Sequence, residues 1–255
     1  MTMQTEYAQQ FTELHVKGNP LILFNIWDAG SALAVEAAGA KALATGSASV
    51  AAAQGYPDGE GLPLEFVIAN LKRITRRVVL PVSLDFESGY ARDPEAIQRN
   101  ITQIIAAGAI GVNFEDQIIG SDGLYTIDEQ HIRVAAARQA ADHASIPLFI
   151  NARTDIFLKL PPTQHSASAV DEAIERAAAY ADAGANGFFA PGLRDGTLIE
   201  KLCTACKLPV NVMAHADALP KNQLANLGVA RISHGPYPYY RMIDTLKTWA
   251  NDALT

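Results

Sequence analysis

The chain has 255 residues, a formal net charge of -7 at pH 7 and a sequence pI near 5.3. This acidic balance, without a cluster of Lys and Arg, argues against nucleic-acid binding. Hydrophobic residues make up 49% and charged residues only 18%, which indicates an extensive core and favours contacts between copies of the chain.

The first 20 residues carry acidic side chains and lack an apolar core segment, so we predict a leading helix and a loop there rather than a signal peptide. No apolar run elsewhere approaches the length of a membrane span. Cys203 and Cys206 form a CxxC without other soft ligands nearby, and we interpret them as buried residues near a helix end. We therefore expect a cytoplasmic protein without a membrane partner.

Short apolar runs without polar alternation recur along the chain, which is typical of strands covered on both faces of a parallel sheet. The predicted strands are 21–26, 42–45, 82–86, 111–114, 148–151, 187–190, 210–213 and 230–233. The predicted helices between and after them are 65–77, 94–107, 128–144, 169–183 and 196–205, with a closing helix in 237–255 whose pattern covers 239–253. This alternation predicts a single-domain (β/α)8 TIM barrel, an α/β fold, over residues 1–255. The alternative is a doubly wound open sheet, although no GxGxxG follows the first strand.

Four of the predicted strands are preceded by an Ala-rich helix end and a glycine. The glycines are Gly39, Gly108, Gly184 and Gly228. Because glycine readily adopts the left-handed backbone that ends a helix, this recurring pattern supports a repeated helix-to-strand unit.

The active site of such a barrel lies at the carboxyl ends of its strands, so we consider the residues that follow the apolar runs as one set. Acidic residues follow three of these runs, and an arginine follows another. The candidates, in chain order, are Asp28, Thr45, Gly46, Ser47, Asp85, Glu87, Glu115, Asp116, Arg153, Asp155, Asn211, His215 and His234.

Asp85 and Glu87 stand two residues apart at the end of a strand, so both side chains point to the same face. Burying two carboxylates without a counter-charge is costly, so we expect a cation between them. Oxygen-only ligands favour Mg²⁺ or Mn²⁺ over zinc. The alternative is a solvated corner in which Gly89 supplies the turn.

Arg153 provides the cation opposite these acids. It can hold a substrate carboxylate with two parallel hydrogen bonds, while the backbone N–H groups of Gly46 and Ser47 are suited to an anion. The alternative is a structural pairing of Arg153 with Asp155 or Glu115.

Other polar residues at the strand ends have structural alternatives of their own. Asp28 can cap a helix that begins at Ser31. His215 and His234 follow the last two strands and remain functional candidates. No lysine stands at a strand end, which disfavours a Schiff-base aldolase.

Six segments together resemble the phosphoenolpyruvate mutase and isocitrate lyase superfamily over residues 23–241. They are FNIWDAGSALAVEAAG, ATGSASVAAAQGYPDGEG, SLDFESGY, GVNFEDQ, INARTD and ISHGPYPYYR. The resemblance implies a barrel fold, Mg²⁺ (or Mn²⁺) as cofactor and a small oxo acid as substrate. It also implies a homo-oligomer, either a dimer or a tetramer. Exchange of the last helix between neighbours, common in the family, is less expected here because the chain stops soon after TLKTWANDALT.

The resemblance assigns the metal ligands. Asp85 matches the residue that binds the ion directly, while Asp58, Glu87 and Glu115 complete its shell largely through water. Only the resemblance identifies Asp58, which lies in the long loop after the second strand.

The resemblance also implies a substrate site, in which the Gly46–Ser47 step holds one end of the oxo acid and Arg153 binds its carboxylate. The predicted substrate contacts are Thr45, Gly46, Ser47, Asp85, Arg153, Asn211 and His234. The predicted catalytic residues are Arg153, Asp58 and Glu115.

Departures from the family pattern narrow the reaction. Residues 116–130 read DQIIGSDGLYTIDEQ and lack the Lys-Lys/Arg-Cys-Gly-His motif of the isocitrate and methylisocitrate lyases. Ala44 and Ala190 stand where the phosphonomutase has tryptophan and histidine, and its loop asparagine is missing too. We predict a magnesium-dependent lyase or decarboxylase of a small 2-oxo (di)carboxylic acid that works through a metal-stabilised enolate. The alternatives are P–C bond chemistry, as in a phosphonomutase or phosphonopyruvate hydrolase, and a non-catalytic oxo-acid-binding protein.

Overall fold

The computed structural model describes residues 2–215 and 219–255, and its eight parallel strands form one sheet. The strands are β1 (Leu21–Leu23), β2 (Leu43–Ala44), β3 (Val82–Asp85), β4 (Gly111–Glu115), β5 (Phe149–Arg153), β6 (Gly187–Phe189), β7 (Val210–Met213) and β8 (Arg231–Ser233). Sequential strands from β2 to β8 are neighbours, and β8 pairs with β1. A parallel bridge between Ile26 and Thr45 joins the segments that follow β1 and β2. The fold is therefore the predicted (β/α)8 TIM barrel, nearly closed by strand pairing.

Helices separate the strands and form the outer layer. They are α1 (Met3–Glu13), α2 (Ala29–Ala37), α3 (Ser47–Ala53), α4 (Leu64–Thr75), α5 (Pro94–Ala106), α6 (Ile127–His143), α7 (Ile156–Lys159), α8 (Ala167–Asp182), α9 (Gly196–Ala205), α10 (Lys221–Asn226) and α11 (Tyr237–Leu254). Several begin at a side chain that accepts a hydrogen bond from a first-turn N–H group. These caps are Asp28, Asp93, Thr126, Ser166 and Asp195.

The predicted strands are all present, and the predicted helices differ from the observed ones by at most two residues at either end. The first strand is shorter than predicted, because the chain leaves the sheet after Leu23. Asp28 caps α2 as one interpretation expected, although the helix begins at Ala29 rather than Ser31. The short helices α3, α7 and α10 have seven, four and six residues, too few for a recognisable periodicity.

A polar layer crosses the barrel interior below the carboxyl ends of the strands. The fully buried guanidinium of Arg231 donates to Oγ of Ser233 at 3.1 Å and to Oδ1 of Asn113 at 3.0 Å. The same oxygen of Asn113 accepts from Nδ2 of Asn151 at 2.8 Å. Burial lowers the pKa of Arg231 to about 9, against the opposing effect of Asp85. A cation thus lies under the acidic end of the barrel.

Helix α1 closes the opposite end of the barrel with apolar side chains. Phe11 packs edge-on against Phe149, with ring centroids 5.3 Å apart. His15 stacks on Phe149, and its Nδ1 donates to the carbonyl oxygen of Phe11 at 2.7 Å.

Both cysteines are buried free thiols, and they lie at the end of α9 before β7, as the sequence interpretation expected. Burial raises the pKa of Cys203 to about 12. Lys17 Nζ donates to the carbonyl oxygens of Cys203 at 3.1 Å and Cys206 at 2.7 Å, which fixes this corner to the loop after α1.

The last helix, α11, projects from the barrel. Of its 18 residues only Pro238 is buried, whereas Leu246 and Trp249 are 54% and 68% exposed. Across 2–215 and 219–255, no helix is long and apolar enough to cross a membrane. The apolar face of α11 is therefore exposed on the outer surface.

Candidate active site

A cavity of about 170 Å³ opens at the carboxyl ends of the strands. Its lining comes from the segments that follow the strands. The lining residues are Asn25, Gly46, Ser47, Ala48, Asp58, Asp85, Asn113, Arg153, Leu158, Phe189, Pro191, Met213, Ser233, Gly235 and Pro236. Five predicted site residues therefore share one cavity, namely Gly46, Ser47, Asp58, Asp85 and Arg153.

Asp85, the last residue of β3, is fixed by its neighbours. Its Oδ2 accepts the backbone N–H of Ser47 at 2.9 Å, and its own N–H donates to Oγ1 of Thr45, also at 2.9 Å. Nδ2 of Asn113 approaches Oδ1 at 3.5 Å. The backbone N–H of Gly46 donates to the carbonyl oxygen of Ile26 at 3.2 Å. The N–H groups of the Gly46–Ser47 step are thus bonded to the protein in this structure.

Arg153, the last residue of β5, lies between two buried carboxylates. Its Nε and Nη2 donate to Asp155 at 2.5 and 2.9 Å, and its Nη1 lies 2.7 Å from Glu115. Burial alone would lower the pKa of Arg153, but Asp155 and Glu115 outweigh it and hold the pKa well above its usual range. The structural pairing considered from the sequence is therefore present with both acids. Since a guanidinium has five N–H donors, two remain for a ligand.

Asp58 reaches the cavity from the loop between α3 and α4. Burial, and then the charge of Asp85, raises the pKa of Asp58. The Ser47 side chain and the Gly59 backbone act in the opposite direction by hydrogen bonding to its carboxylate. Asp58 therefore lies within electrostatic reach of both Asp85 and Arg153.

Glu87 lies just beyond β3 and is 5% exposed. Its Oε2 accepts the backbone N–H of Glu60 at 2.6 Å, and its Oε1 accepts the hydroxyl of Tyr90 at 2.7 Å. Burial raises the pKa of Glu87 to about 7 despite these two hydrogen bonds. Both carboxylate oxygens are therefore engaged by the protein itself.

The acidic groups at this end of the barrel suit a hard cation that keeps much of its water. The carboxylates of Asp58, Asp85, Glu87 and Glu115 influence one another electrostatically, with Arg153 among them. Within the described ranges, no three His, Cys, Asp or Glu side chains are already grouped as direct ligands. The donor set thus fits Mg²⁺ or Mn²⁺ bound through few direct contacts and several waters.

Three further candidates lie around the cavity rather than in its lining. Thr45 supports Asp85, and Asn211 donates from Nδ2 to Oγ of Ser233 at 3.2 Å. The ring of His234 packs against Phe24 with centroids 5.0 Å apart. His215, after β7, is partly buried and is also absent from the lining.

Several residues that shape the site are not among the sequence candidates. Asn113 lines the cavity, and its place two residues before Glu115 on β4 was a usable signal, because both point to the same side of the strand. Glu60 contacts Glu87 from a loop 27 residues earlier in the chain, whereas Tyr90 stands only three residues after Glu87. No local pattern marks either contact.

The segment that lacks the lyase motif is an ordered hairpin beside the site. Gln117 and Leu124 form an antiparallel bridge, and Lys159 Nζ donates to the carbonyl oxygen of Ser121 at 3.3 Å. At its base, the fully buried Asp116 accepts from Arg176 at 3.1 Å and from the hydroxyl of Tyr180 at 2.9 Å.

Comparisons with known proteins agree with this architecture. The sequence profile of the Phosphoenolpyruvate phosphomutase family matches residues 11–254. The uncharacterized protein Rv1998c of Mycobacterium tuberculosis (strain ATCC 25618 / H37Rv) is 36% identical over 90% of this chain and 83% of its own length. The 2-methylisocitrate lyase of Escherichia coli (strain K12) is 29% identical over 91% of this chain and 78% of its own length. Oxaloacetate decarboxylases are also among the relatives.

A solved structure is closer still. The crystal structure of a proposed phosphonomutase from Burkholderia cenocepacia J2315 is 49% identical, covers 98% of this chain and 99% of its own, and superposes with a TM-score of 0.96. Structures of similar fold at lower identity include a phosphonopyruvate hydrolase complex with oxalate and Mg²⁺.

Proposed function

The chain belongs to the phosphoenolpyruvate mutase and isocitrate lyase superfamily, and from this membership we propose that it is a magnesium-dependent lyase, most specifically a decarboxylase, of a small 2-oxo diacid. When bound, Mg²⁺ would polarise the 2-oxo group and stabilise the enolate charge that develops there. Asp85 would hold the ion directly, with Asp58, Glu87 and Glu115 acting largely through water, as the family resemblance implies.

The apolar part of the cavity lining favours decarboxylation over the alternatives. Its residues are Leu158, Phe189, Pro191, Met213 and Pro236. Among the described residues that line the cavity, Arg153 is the only cation. A carboxylate on C3 loses its charge when it leaves as carbon dioxide, so apolar surroundings favour that cleavage. A phosphonate or a retained second carboxylate keeps its charge and would need a second cation in the lining.

The remaining roles follow from position. The two unused donors of Arg153 would hold the carboxylate at C1, and C3 would then lie among the apolar side chains of the lining. Asp58 has a raised pKa and lies within reach of the same space, so it is suited to deliver a proton to C3 after carbon dioxide leaves. Thr45 and Asn211 support the lining, and His234 borders it.

A turnover panel tests this proposal. Oxaloacetate, phosphonopyruvate and 2-methylisocitrate are each incubated with the protein and Mg²⁺, and pyruvate, phosphate and succinate are quantified. We expect pyruvate from oxaloacetate above the rate with Mg²⁺ alone, and a return to that background in Asp85→Asn. Phosphate release from phosphonopyruvate would instead establish P–C bond chemistry, the alternative favoured by the 49% identity to a proposed phosphonomutase. No turnover with oxalate binding retained would leave the non-catalytic oxo-acid-binding protein.

We also propose that a second copy of the chain covers the exposed face of α11. An apolar groove of about 710 Å³ lies on the outside of the barrel between α2 and α10, where an eighth outer helix would cover β1 and β8. Leu14, Ile22, Phe24 and Val35 contribute to this groove. The sequence made exchange of the last helix less expected, but exchange of α11 between two chains would bury both apolar surfaces. These surfaces therefore support a homo-oligomer built from such dimers.

A further inference from the structure

We propose that Glu60 and Tyr90 are positioning residues that hold the loop of residues 55–62, and with it Asp58, over the active site by way of Glu87. The loop carries Asp58 only two positions before Glu60, so fixing Glu60 fixes the approach of Asp58 to the cavity. The significance of Asp58 rests on the proposed function, whereas the tethering of the loop does not.

Three hydrogen bonds close a ring among these residues. The Glu60 N–H donates to Oε2 of Glu87 at 2.6 Å, and the Tyr90 hydroxyl donates to Oε1 of Glu87 at 2.7 Å. The Tyr90 N–H then donates to Oε1 of Glu60, also at 2.7 Å. Each residue contacts the other two, so the loop is joined to the end of β3 through both its backbone and a side chain.

The backbone of the ring supports a functional role. In the described chain, four residues other than glycine have a positive φ, and three of them form this ring: Glu60 at 58°, Glu87 at 51° and Tyr90 at 54°. Side chains larger than glycine rarely adopt this conformation, and it persists where surrounding contacts impose it. Such positions cluster at sites where geometry matters for function.

Neighbouring residues pack against this hydrogen-bonded ring and fix the turn after β3. Tyr90 stacks on Phe86 with ring centroids 6.2 Å apart, and Asn100 Nδ2 donates to the carbonyl oxygen of Gly89 at 3.0 Å. A Cβ on Gly89 would lie 2.8 Å from the ring of Phe114, so this turn has no room for a side chain. The β3 end is therefore a rigid base, and the loop is the part that the ring immobilises.

This arrangement changes the role of Glu87. With one oxygen on Glu60 and the other on Tyr90, Glu87 acts on the site through the loop in addition to its proposed contact with a metal-bound water. Substitution of Glu87 should then change the position of Asp58 more than the position of Asp85.

Hydrogen exchange tests the tether without requiring turnover. Tyr90→Phe removes the hydroxyl bond, and Glu60→Ala removes the acceptor for the Tyr90 N–H. Each is expected to speed exchange of amides in 55–62 by roughly tenfold, because each removes a hydrogen bond to a carboxylate. Glu60→Gln retains that acceptor and should restore slow exchange.

The matched control is Tyr56→Phe in the same loop, where the side chain is exposed and packs on Phe66. Unchanged exchange in both Tyr90→Phe and Glu60→Ala, or an equal increase in Tyr56→Phe, would overturn the proposal.

A double-mutant cycle tests whether the ring acts through Asp58. Oxalate binding in the presence of Mg²⁺ is measured by calorimetry for Tyr90→Phe, Asp58→Ala and the double variant. We expect Tyr90→Phe to weaken oxalate binding in the wild-type background and to have little further effect when Asp58 is absent. Additive losses would show that Tyr90 acts independently of Asp58, against the proposal. Loss of turnover on every substrate would bear on the proposed function and leave the exchange result intact.

Discussion

Asp85 and Ser47 are joined by a hydrogen bond of 2.9 Å from the Ser47 backbone N–H to Oδ2 of Asp85. The carboxylate predicted to bind a metal and the N–H predicted to bind an anion are thus hydrogen-bonded to each other. A cation that draws the Asp85 carboxylate away frees this N–H for the carboxylate of an oxo acid. The two ligands are therefore expected to bind cooperatively.

The cooperativity is measurable by calorimetry. Oxalate should bind at least about tenfold more tightly in the presence of Mg²⁺, and Mg²⁺ should gain the same factor from oxalate, since linkage is reciprocal. Asp85→Asn should abolish the coupling, and Glu87→Gln should retain most of it because Glu87 is engaged by Glu60 and Tyr90. Equal losses in the two variants would contradict this ranking.

Arg153→Lys should weaken oxalate binding by about 10- to 100-fold, because lysine replaces a planar two-donor contact with a single point charge. The protein should stay folded, since the lysine charge still faces Asp155 and Glu115. Calorimetry and thermal unfolding measure the two effects. Arg138→Lys is the control, because that guanidinium contacts backbone carbonyl groups of Leu148 and Gly184 in the outer layer. A comparable loss of affinity in the control would contradict the site assignment.

The exposed face of α11 predicts the behaviour of surface variants. Leu246→Glu and Trp249→Glu place charge on the apolar stripe and should shift the protein toward monomer in light scattering coupled to size exclusion. Thr248→Glu, on the polar side of α11, should leave the assembly unchanged. A monomeric wild-type protein at micromolar concentration would refute the exchange of α11.

His15 predicts a pH dependence of stability that is separate from the active site. Burial, reinforced by Arg231, lowers the pKa of His15 from 6.5 to about 3. Between these values the unfolded chain binds the proton and the folded chain does not, so stability falls as the pH drops below 6.5. The slope from this group approaches about 1.4 kcal/mol per pH unit. In urea unfolding between pH 4.5 and 6.5, the free energy of unfolding of the wild type should therefore rise with pH relative to that of His15→Gln, whereas the exposed His143→Gln should keep the wild-type slope. Identical slopes in all three proteins would exclude this role for His15.

The strands were predictable because each is buried on both faces, which leaves a continuous apolar run in the sequence. The position of Asp85 and Arg153 at one end of the barrel was predictable for a related reason. Each follows an apolar run, and the carboxyl ends of all the strands lie at the same end of the barrel. The contacts that Asp85 and Arg153 make with their neighbours were not predictable from the sequence. Whether Arg153 pairs with Glu115 depends on the register between β4 and β5, which the sequence does not show. The contact of Glu87 with Glu60 spans 27 residues of chain. Likewise, the periodicity of α11 predicted a helix but carried no information on where its apolar face would lie.

The hairpin within residues 116–130 beside the site offers a position for protein engineering. Its base is anchored by Asp116 to Arg176 and Tyr180, while residues 118–123 project from that anchor and touch the rest of the barrel through Lys159. The tip can therefore serve as an exchangeable module. Transplanting a loop that carries the lyase cysteine onto this base would add an acid–base group beside the proposed oxo-acid cavity without rebuilding the barrel, and so allow one scaffold to be tested for several bond cleavages.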